Sequence, residues 1–332
     1  MTDYSFRLTT IPAIKERPKE SNYDVVIIGA GPAGLSAALY SARYGLKTIV
    51  IAREMGGKVS LAPLVDDYLG IPSIKGSELA RKFITHVEQH KVPLVIDEVV
   101  DIIKDGARWR VETKNGERYY GFAVIIAIGS EKRRLNVPGE SELLGKGVSY
   151  CATCDGPLFR GKIVAVIGGG NSALSSAIYL SSLASRVYLI HRRNEFRAFK
   201  TYVDQAKRNP KIEFKLNRVV VEILGKEKVE AVKLLNKSTS REELINVDGV
   251  FIEIGGEPPR KFFEKVGIEV DGQGYAKVNP DQSTNLPGIY VAGDAAGGPH
   301  KYRFEQIITA AAEGAKAADA TFKYIIGIKS KV

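Results

Sequence analysis

A short apolar strand that runs directly into a glycine-rich turn occurs twice in this sequence. The first strand ends in G-A-G-P-A-G (residues 29–34), and the second ends in G-G-G-N-S-A (residues 168–173). The first glycine of such a pattern makes a tight turn, and the second lets the backbone approach a pyrophosphate. The third position must be small so that the following helix packs on the strand. The sequence therefore predicts an α/β protein with two Rossmann-like nucleotide-binding domains.

The remaining strands indicate how the two domains are arranged along the chain. Each glycine turn is followed by strand-rich sequence that closes on another apolar strand, at 123–129 and at 249–255. A last apolar strand at 288–293 precedes a long alanine-rich helix. This order predicts that the second domain is inserted into the first, with glycine and proline in the two connections between the domains. We expect an N-terminal extension at 1–21, an outer domain at 22–129 and 257–328, and an inserted domain at 130–256.

The strand that follows the second glycine turn ends in basic residues. It terminates in H-R-R (residues 191–193), and Arg197 follows four residues later. Guanidinium groups bind a phosphate through paired hydrogen bonds, so arginines at this offset favour NADP(H) through its 2′-phosphate. A solvated basic face is the alternative. His191 is compatible with either a packing role or a phosphate-donor role.

Two carboxylates accompany the first glycine turn. Glu54 lies just beyond the next strand, where it is compatible with an adenosine ribose contact or with a surface position. Asp294 follows the last apolar strand and opens a helical stretch. It would be a helix N-cap by default, but at this position in flavoproteins an aspartate hydrogen-bonds the ribityl chain.

The chain contains only two cysteines, and both lie in the C-A-T-C-D motif at 151–155. A zinc site needs four ligands, and neither further cysteines nor nearby histidines are available to complete one. A C-x-x-C pair that cycles between dithiol and disulfide is therefore favoured, with no metal. Asp155 follows the pair directly, where a carboxylate could accept or deliver protons.

Composition and charge exclude several classes of protein. No apolar run is long enough for a transmembrane helix, and the N-terminal residues lack the apolar core of a secretory signal, so we expect a cytoplasmic protein. The net charge of +10 raises the possibility of nucleic-acid binding. Residues 131–200 hold eleven Lys and Arg against five Asp and Glu, so much of the excess lies around the second glycine turn. No recognition motif supports a nucleic-acid partner.

The order of these motifs resembles that of the low-molecular-weight thioredoxin reductases. The likeness covers about residues 22–326, and C-A-T-C-D just ahead of the second glycine turn is its most specific part. The resemblance implies the three-layer ββα fold of FAD/NAD(P)-binding domains, FAD in the outer domain, NADPH in the inserted domain and a homodimer. It implies Cys151 as the interchange thiol, Cys154 as the flavin-proximal thiol and Asp155 as the acid/base.

The resemblance, together with the motifs above, also implies two sets of cofactor-binding residues. The FAD set is Gly29, Gly31, Pro32, Ala33, Gly34, Glu54, Gly57, Lys58, Asp67, Val99, Ala127, Gly129, Gly293, Asp294 and Gln306. The NADPH set is Gly168, Gly170, Asn171, Ser172, His191, Arg192, Arg193 and Arg197. The chain departs from the family pattern at Lys58, Asp67, Ile128 and Glu305, where glutamine, asparagine, threonine and arginine are usual.

The expected activity is that of a thioredoxin-disulfide reductase. Electrons would pass from NADPH to FAD, then to Cys151–Cys154, and then to the disulfide of thioredoxin or a thioredoxin/glutaredoxin-like protein. The enzymatic alternative is the same chemistry with another acceptor, such as a protein disulfide oxidoreductase, a peroxiredoxin partner or oxygen. A basic nucleic-acid-binding protein is the distant alternative.

Overall fold

The structure is a computed structural model that describes residues 22–330. The extension expected at 1–21 lies outside the described residues. The chain divides into two compact units. The first comprises the residues up to Gly57, then Ala80–Gly129, and the residues from Pro258 onward. The second comprises Lys58–Leu79 and Ser130–Glu257. The boundaries expected from the sequence place 58–79 in the first domain, whereas its contacts group it with the second unit.

The elements up to residue 129 alternate strands and helices and then continue as short strands. They are β1 Val25–Ala30, α1 Pro32–Arg43, β2 Thr48–Met55, α2 Gly76–Glu88, β3 Leu94–Ile96, β4 Val99–Asp105, β5 Arg108–Thr113, β6 Arg118–Gly121 and β7 Ala123–Ile126. A 3₁₀ turn spans Gly57–Leu61.

The second unit repeats this succession from β10 onward, after two short strands and a short helix. Its elements are β8 Glu131–Lys132, β9 Val148–Ser149, α3 Ala152–Asp155, β10 Ile163–Ile167, α4 Asn171–Ser181, β11 Arg186–His191, α5 Lys200–Arg208, β12 Ile212–Leu216, β13 Arg218–Leu224, β14 Ala231–Asn236, β15 Glu242–Asn246, β16 Gly249–Ile252 and β17 Gly256–Glu257. A 3₁₀ turn at Gly156–Phe159 follows α3.

The chain then returns to the first unit. The closing elements are α6 Arg260–Val266, β18 Ala276–Lys277, β19 Ile289–Val291, β20 Ala296–Gly297 and α7 Ile307–Lys329. Among the described residues, no helix combines the length and apolar character that crossing a membrane requires.

The first unit has three layers. A five-stranded parallel sheet has the order β19-β7-β1-β2-β3, and β4-β5-β6 form a separate antiparallel sheet. Alternate side chains of β1 point to opposite faces, because a strand has a period of two. Val25 and Ile27 pack in one core cluster with α1 and α7, and Val26 and Ile28 pack in another that includes Trp109 of β5.

The second unit is built in the same way. Its parallel strands have the order β12-β11-β10-β16-β9, and β13-β14-β15 form the antiparallel sheet. Val164 and Val166 pack against α4, whereas Ala165 and Ile167 pack against the face that includes Leu234 of β14. Both units therefore have the helix–parallel sheet–antiparallel sheet arrangement, and the predicted fold class is confirmed.

Candidate active site

The first glycine turn connects β1 to α1 and depends on close backbone contact. Gly29 has φ +103°, and a Cβ on it would lie 2.3 Å from the carbonyl oxygen of Ala127. A Cβ on Gly34 would lie 1.8 Å from the carbonyl oxygen of Gly29. These distances leave no room for a side chain, so only glycine at both positions lets α1 begin so close to the sheet.

The middle glycine of this turn has the opposite environment. A Cβ on Gly31 would meet no other atom of the described residues within 4 Å. Gly31 is also the N-cap of α1, and no side chain in the described part of the chain caps the helix there. The first amides of α1 therefore lie beside open space that a phosphate could fill, and the turn fits a dinucleotide.

Several other predicted FAD residues lie at the same sheet edge, because the carboxyl ends of parallel strands share one edge. Gly57 approaches Gly31, since a Cβ on Gly57 would lie 3.1 Å from the Gly31 Cα. Ala127 and Gly129 follow β7, beside β1. Glu54 is exposed near the end of β2, the other neighbour of β1. Strand order reverses around β1, which is where doubly wound sheets bind ligands.

The turn after β19 is held by an ion pair that the sequence did not reveal. The backbone amide of Gly293 donates to Glu313 Oε2 at 2.8 Å. Lys301 Nζ donates to the Gly293 carbonyl at 2.8 Å and to Glu313 Oε2 at 2.7 Å. The Lys301 and Glu313 side chains are only 12% and 15% exposed. Both peptide groups of Gly293 are thus fixed beside Asp294, and helical periodicity gave no signal for this role of Glu313.

The other predicted FAD residues lie on other elements of the chain. Lys58 Nζ donates to Ser130 Oγ, and Asp67 lies in the 58–79 segment that groups with the second unit. Val99 begins β4 in the antiparallel sheet. Gln306 is the N-cap of α7, in a capping box with Thr309. Its side-chain oxygen is therefore engaged with the helix backbone.

The second glycine turn repeats the geometry of the first. A Cβ on Gly168 would lie 2.1 Å from the carbonyl oxygen of Glu253, whereas one on Gly170 would meet no described atom within 4 Å. Gly170 is the N-cap of α4, again without a side-chain cap among the described residues. Asn171 and Ser172 follow as the first two residues of the helix. This turn also fits a dinucleotide phosphate.

The three predicted phosphate-binding arginines follow β11, the strand next to the second glycine turn. Arg192, Arg193 and Arg197 are all exposed, and within the described residues none of their side chains forms an ion pair. Their charges are therefore not neutralised by carboxylates, and they form a basic surface beside α4. This arrangement fits a dianionic phosphate.

His191 is a packing residue in this structure. It is 8% exposed, its ring lies against Gly169, and it stacks on Phe196. Its Nε2 is 3.0 Å from the Glu195 carbonyl oxygen. Burial lowers the pKa of His191, and the neighbouring arginines lower it further, although the Glu195 carbonyl acts in the opposite direction. The neutral imidazole therefore supports the arginine segment from beneath.

The two cysteines form a disulfide at the start of α3, with their Cα atoms 5.4 Å apart. Cys151 is the N-cap of the helix and is half-buried, and Cys154 is exposed. The Cys154 amide donates to Cys151 Sγ at 3.1 Å, and the Cys151 amide donates to Ser149 Oγ at 2.9 Å. The sulfur atoms are bonded to each other, so the redox interpretation is favoured over a zinc site.

A buried carboxylate that sequence reasoning missed supports the strand leading to the cysteines. Glu140 is 3% exposed and accepts hydrogen bonds from the amides of Leu135 and Asn136 and from the Tyr150 hydroxyl. Burial, together with the bond to Glu140, raises the pKa of Tyr150, which therefore stays protonated as the donor. Tyr150 precedes Cys151 directly, so Glu140 fixes the approach to the disulfide. Asp155 is half-buried one residue beyond Cys154.

Comparison with known proteins identifies the relatives of this chain. Residues 23–314 match the pyridine nucleotide-disulphide oxidoreductase family. Thioredoxin reductase of Bacillus subtilis is 40% identical over 309 residues, which are 92% of this chain and 96% of the relative. A crystal structure of T. acidophilum thioredoxin reductase has a TM-score of 0.88 at 40% identity and covers 92% and 100% of the two chains. That of Lactococcus lactis thioredoxin reductase has a TM-score of 0.88 at 36% identity, covering 92% and 99%.

Proposed function

The chain belongs to the pyridine nucleotide-disulphide oxidoreductase family, and from this membership and its paired cysteines we propose that it is an NADPH-dependent thioredoxin-disulfide reductase. The observation that carries the proposal is the Cys151–Cys154 disulfide, which lies on α3 in the same unit as the second glycine turn. A redox disulfide in a nucleotide-binding unit indicates an enzyme that couples thiol–disulfide chemistry to a nucleotide cofactor. The relatives from Listeria innocua and Bacillus subtilis, each matched over 96% of its own length, are thioredoxin reductases.

The two glycine turns would hold different nucleotides. We assign FAD to the first unit, with its pyrophosphate at Gly31 and the start of α1, and NADPH to the second, with its 2′-phosphate at Arg192, Arg193 and Arg197. When bound, these cofactors supply hydride transfer and a two-electron relay that reduces the disulfide. The protein contributes the open face of each turn and the fixed Gly293 peptide.

The reduced cysteine pair would transfer its electrons by thiol–disulfide exchange. The Cys151 thiolate attacks one sulfur of the partner's disulfide, which breaks that bond, forms a mixed disulfide and releases one partner thiolate. The Cys154 thiolate then attacks Cys151 Sγ, re-forms the Cys151–Cys154 disulfide and releases the second thiolate. The partner gains two electrons, and the two protons of the dithiol complete its thiols.

The hydrogen bond within the motif supports Cys151 as the attacking thiol. An amide donor stabilises a thiolate, and the Cys154 amide donates to Cys151 Sγ. Exposure by itself favours Cys154, which is the more exposed residue. Asp155 follows the pair, and its carboxylate is the group that we assign to accept and return the proton.

We further propose a homodimer in the cytoplasm whose protein substrate is thioredoxin or a similar small redox protein. A C-x-x-C disulfide that must be reduced and re-formed in each turnover suits a reducing compartment. The identity of the partner rests on the relatives, which are named thioredoxin reductases, and the dimer rests on the family resemblance alone.

The proposal is tested with the purified protein under anaerobic conditions. We expect a bound flavin that NADPH bleaches, and NADPH oxidation that depends on thioredoxin. Cys151→Ser and Cys154→Ser should each reduce thioredoxin turnover by at least about 100-fold while leaving the bleaching by NADPH intact, because reduction of the flavin by NADPH does not need the thiols. Undiminished thioredoxin reduction in either variant would contradict the mechanism.

Trapping with a thioredoxin that lacks its second cysteine assigns the roles of the two thiols. Cys154→Ser should accumulate the mixed disulfide, because Cys151 remains to attack and nothing resolves the product. Accumulation in Cys151→Ser instead would reverse the two roles.

A further inference from the structure

The segment that carries the three arginines has no regular structure of its own. Residues 192–199, which we call the arginine segment, lie between β11 and α5 and contain neither helix nor strand. Their side chains can bind a phosphate in a fixed geometry only if the backbone beneath them is held in place. The contacts that hold this backbone therefore decide how well the arginines recognise a 2′-phosphate.

Two of those contacts run directly to the second glycine turn. The Arg197 amide donates to the Gly169 carbonyl at 2.8 Å. The Phe199 amide donates to Oδ1 of Asn171 at 2.8 Å. The Glu195 carbonyl, in the middle of the segment, is held by the buried ring of His191. Arg197 and Phe199, in the second half of the arginine segment, are thus bonded to the turn that would receive the pyrophosphate. In the first half, the Arg193 carbonyl accepts the Asn217 amide.

Asn171 makes the side-chain bond in this arrangement. It is the first residue of α4, immediately after the open Gly170, and its side-chain oxygen reaches a backbone amide 28 residues along the chain. The Asn171 side-chain oxygen is engaged by the Phe199 amide, so only the side-chain NH₂ group of Asn171 could donate to a phosphate. The bond to Phe199 therefore accounts for the oxygen of this side chain.

We propose that Asn171 is a positioning residue that sets the preference for NADPH over NADH by holding the arginine segment against the glycine turn. It acts on the 2′-phosphate through Phe199 and Arg197, not by contacting the nucleotide through its own oxygen. This inference rests on the proposed function, because it presupposes that the second unit binds NADPH.

The bond can be removed from either side. Asn171→Ala removes the acceptor. Phe199→Pro removes the donor, and Phe199 already has φ −57°, the value that proline requires. Phe199→Ala is the control for the lost ring, which is half exposed. Asn236→Ala is the matched asparagine control, because its Oδ1 also accepts a backbone amide, that of Ser238, in the same unit.

The measurement is kcat/KM for NADPH and for NADH on the flavin-loaded enzyme, together with the binding of 2′,5′-ADP and of 5′-AMP. Asn171→Ala and Phe199→Pro should each lower the NADPH/NADH ratio about 5-fold relative to their controls, the value of one hydrogen bond. Both should weaken 2′,5′-ADP binding and leave 5′-AMP binding unchanged. The double variant should be no worse than either single one, because both remove the same bond.

Three results would overturn the inference. The first is an unchanged NADPH/NADH ratio of kcat/KM in both single variants. The second is an equal loss of kcat/KM for NADPH and NADH, which would mean that Asn171 binds the part of the nucleotide that the two share. The third is additive losses in the double variant. A wild-type enzyme without any preference for NADPH would contradict the proposed nucleotide instead. A wild type that prefers NADPH, with variants that keep the preference, would contradict only the role of Asn171.

Discussion

At the scale of single residues, the glycines of one turn have opposite functions. Gly34 is required by the fold, because any Cβ there would overlap the Gly29 carbonyl. Gly31 faces open space and has φ −79°, which every residue tolerates, so the fold does not require it. The requirement at Gly31 comes from the ligand, and the two positions can be separated by experiment.

We predict that Gly34→Ala unfolds or destabilises the protein by about 3 kcal/mol or more, since backbone must move. Gly31→Ala should change the free energy of unfolding of the flavin-free protein by less than about 1 kcal/mol and reduce flavin affinity by at least about 10-fold, because the methyl group fills the space for the pyrophosphate. Denaturant unfolding measures the free energy of unfolding of each variant, and flavin titration measures its flavin affinity.

Gly272→Ala is the matched control for Gly31→Ala, because a Cβ there also meets no described atom within 4 Å. It should leave stability and flavin affinity unchanged. Full flavin affinity in Gly31→Ala would contradict the assignment of the first turn.

The residues that the sequence predicted and those it missed differ in how their role is encoded. The glycine turns, the arginines and the cysteines are short motifs in which the chemistry needs neighbouring residues. Asn171 was expected at the nucleotide, but its bond to Phe199 spans 28 residues and is visible only in the structure. His191 was left open between packing and phosphate binding, and its burial against Gly169 depends on the fold. Lys58 and Asp67 were assigned to the flavin, and no contact in the structure tests that assignment.

At the scale of elements, α7 fixes the turn after β19. Its residue Glu313 reaches the Gly293 amide, and Lys301 completes the arrangement from the loop before the helix. The same helix packs closely on α1, where a Cβ on Gly314 would lie 2.0 Å from the Ala33 carbonyl. Motion of α7 would therefore be transmitted both to the Gly293-Asp294 turn and to the start of α1.

We predict that Lys301→Met destabilises the flavin-free protein by about 2–3 kcal/mol, because it leaves the Glu313 carboxylate largely buried without its cation. Lys323→Met, on the helix that carries Glu313, should lower the free energy of unfolding by less than about 0.5 kcal/mol, since the ion pair of Lys323 with Asp319 is largely exposed. Denaturant unfolding compares the two. Equal effects would mean that the Lys301–Glu313 pair has no special role.

Sequence patterns predicted where the strands and helices lie, but they did not predict which side chains of those elements contact each other. The apolar runs at 123–129, 162–168 and 249–255 contain β7, β10 and β16, and the run at 23–29 contains all of β1 but Ala30, because buried parallel strands are apolar on both faces. The polar residues on α7 carried no such signal. An alanine-rich helix has a periodicity that indicates its buried face, but it does not indicate which carboxylate turns toward a neighbouring strand end.

At the scale of the whole molecule, the second unit is largely self-contained. Its parallel sheet, antiparallel sheet and helix α4 all lie within 130–257. The first unit has no such continuous stretch, since β19 and α7 come from the end of the chain. The two units therefore differ in whether a single length of sequence contains the whole core.

We predict that a fragment of residues 130–257 folds alone and binds 2′,5′-ADP, because both core clusters of the second unit are complete within it. A fragment of residues 22–129 should remain unfolded, since α1 lacks its α7 partner and β7 lacks β19. Amide hydrogen exchange of the two fragments measures the difference. A fragment 130–257 without protected amides would contradict this prediction.

The pairing of β8 with β17 has a consequence for how such a molecule could arise. Lys132 lies opposite Gly256, and Glu131 lies opposite Glu257, so the inserted stretch begins and ends at neighbouring points. The two ends of the insert are therefore no farther apart than the two strands of an ordinary hairpin. Closing the gap between them adds little entropic penalty, because the insert's own fold keeps its ends together. A gene segment with paired ends could therefore be gained, exchanged or lost without remodelling the domain that receives it.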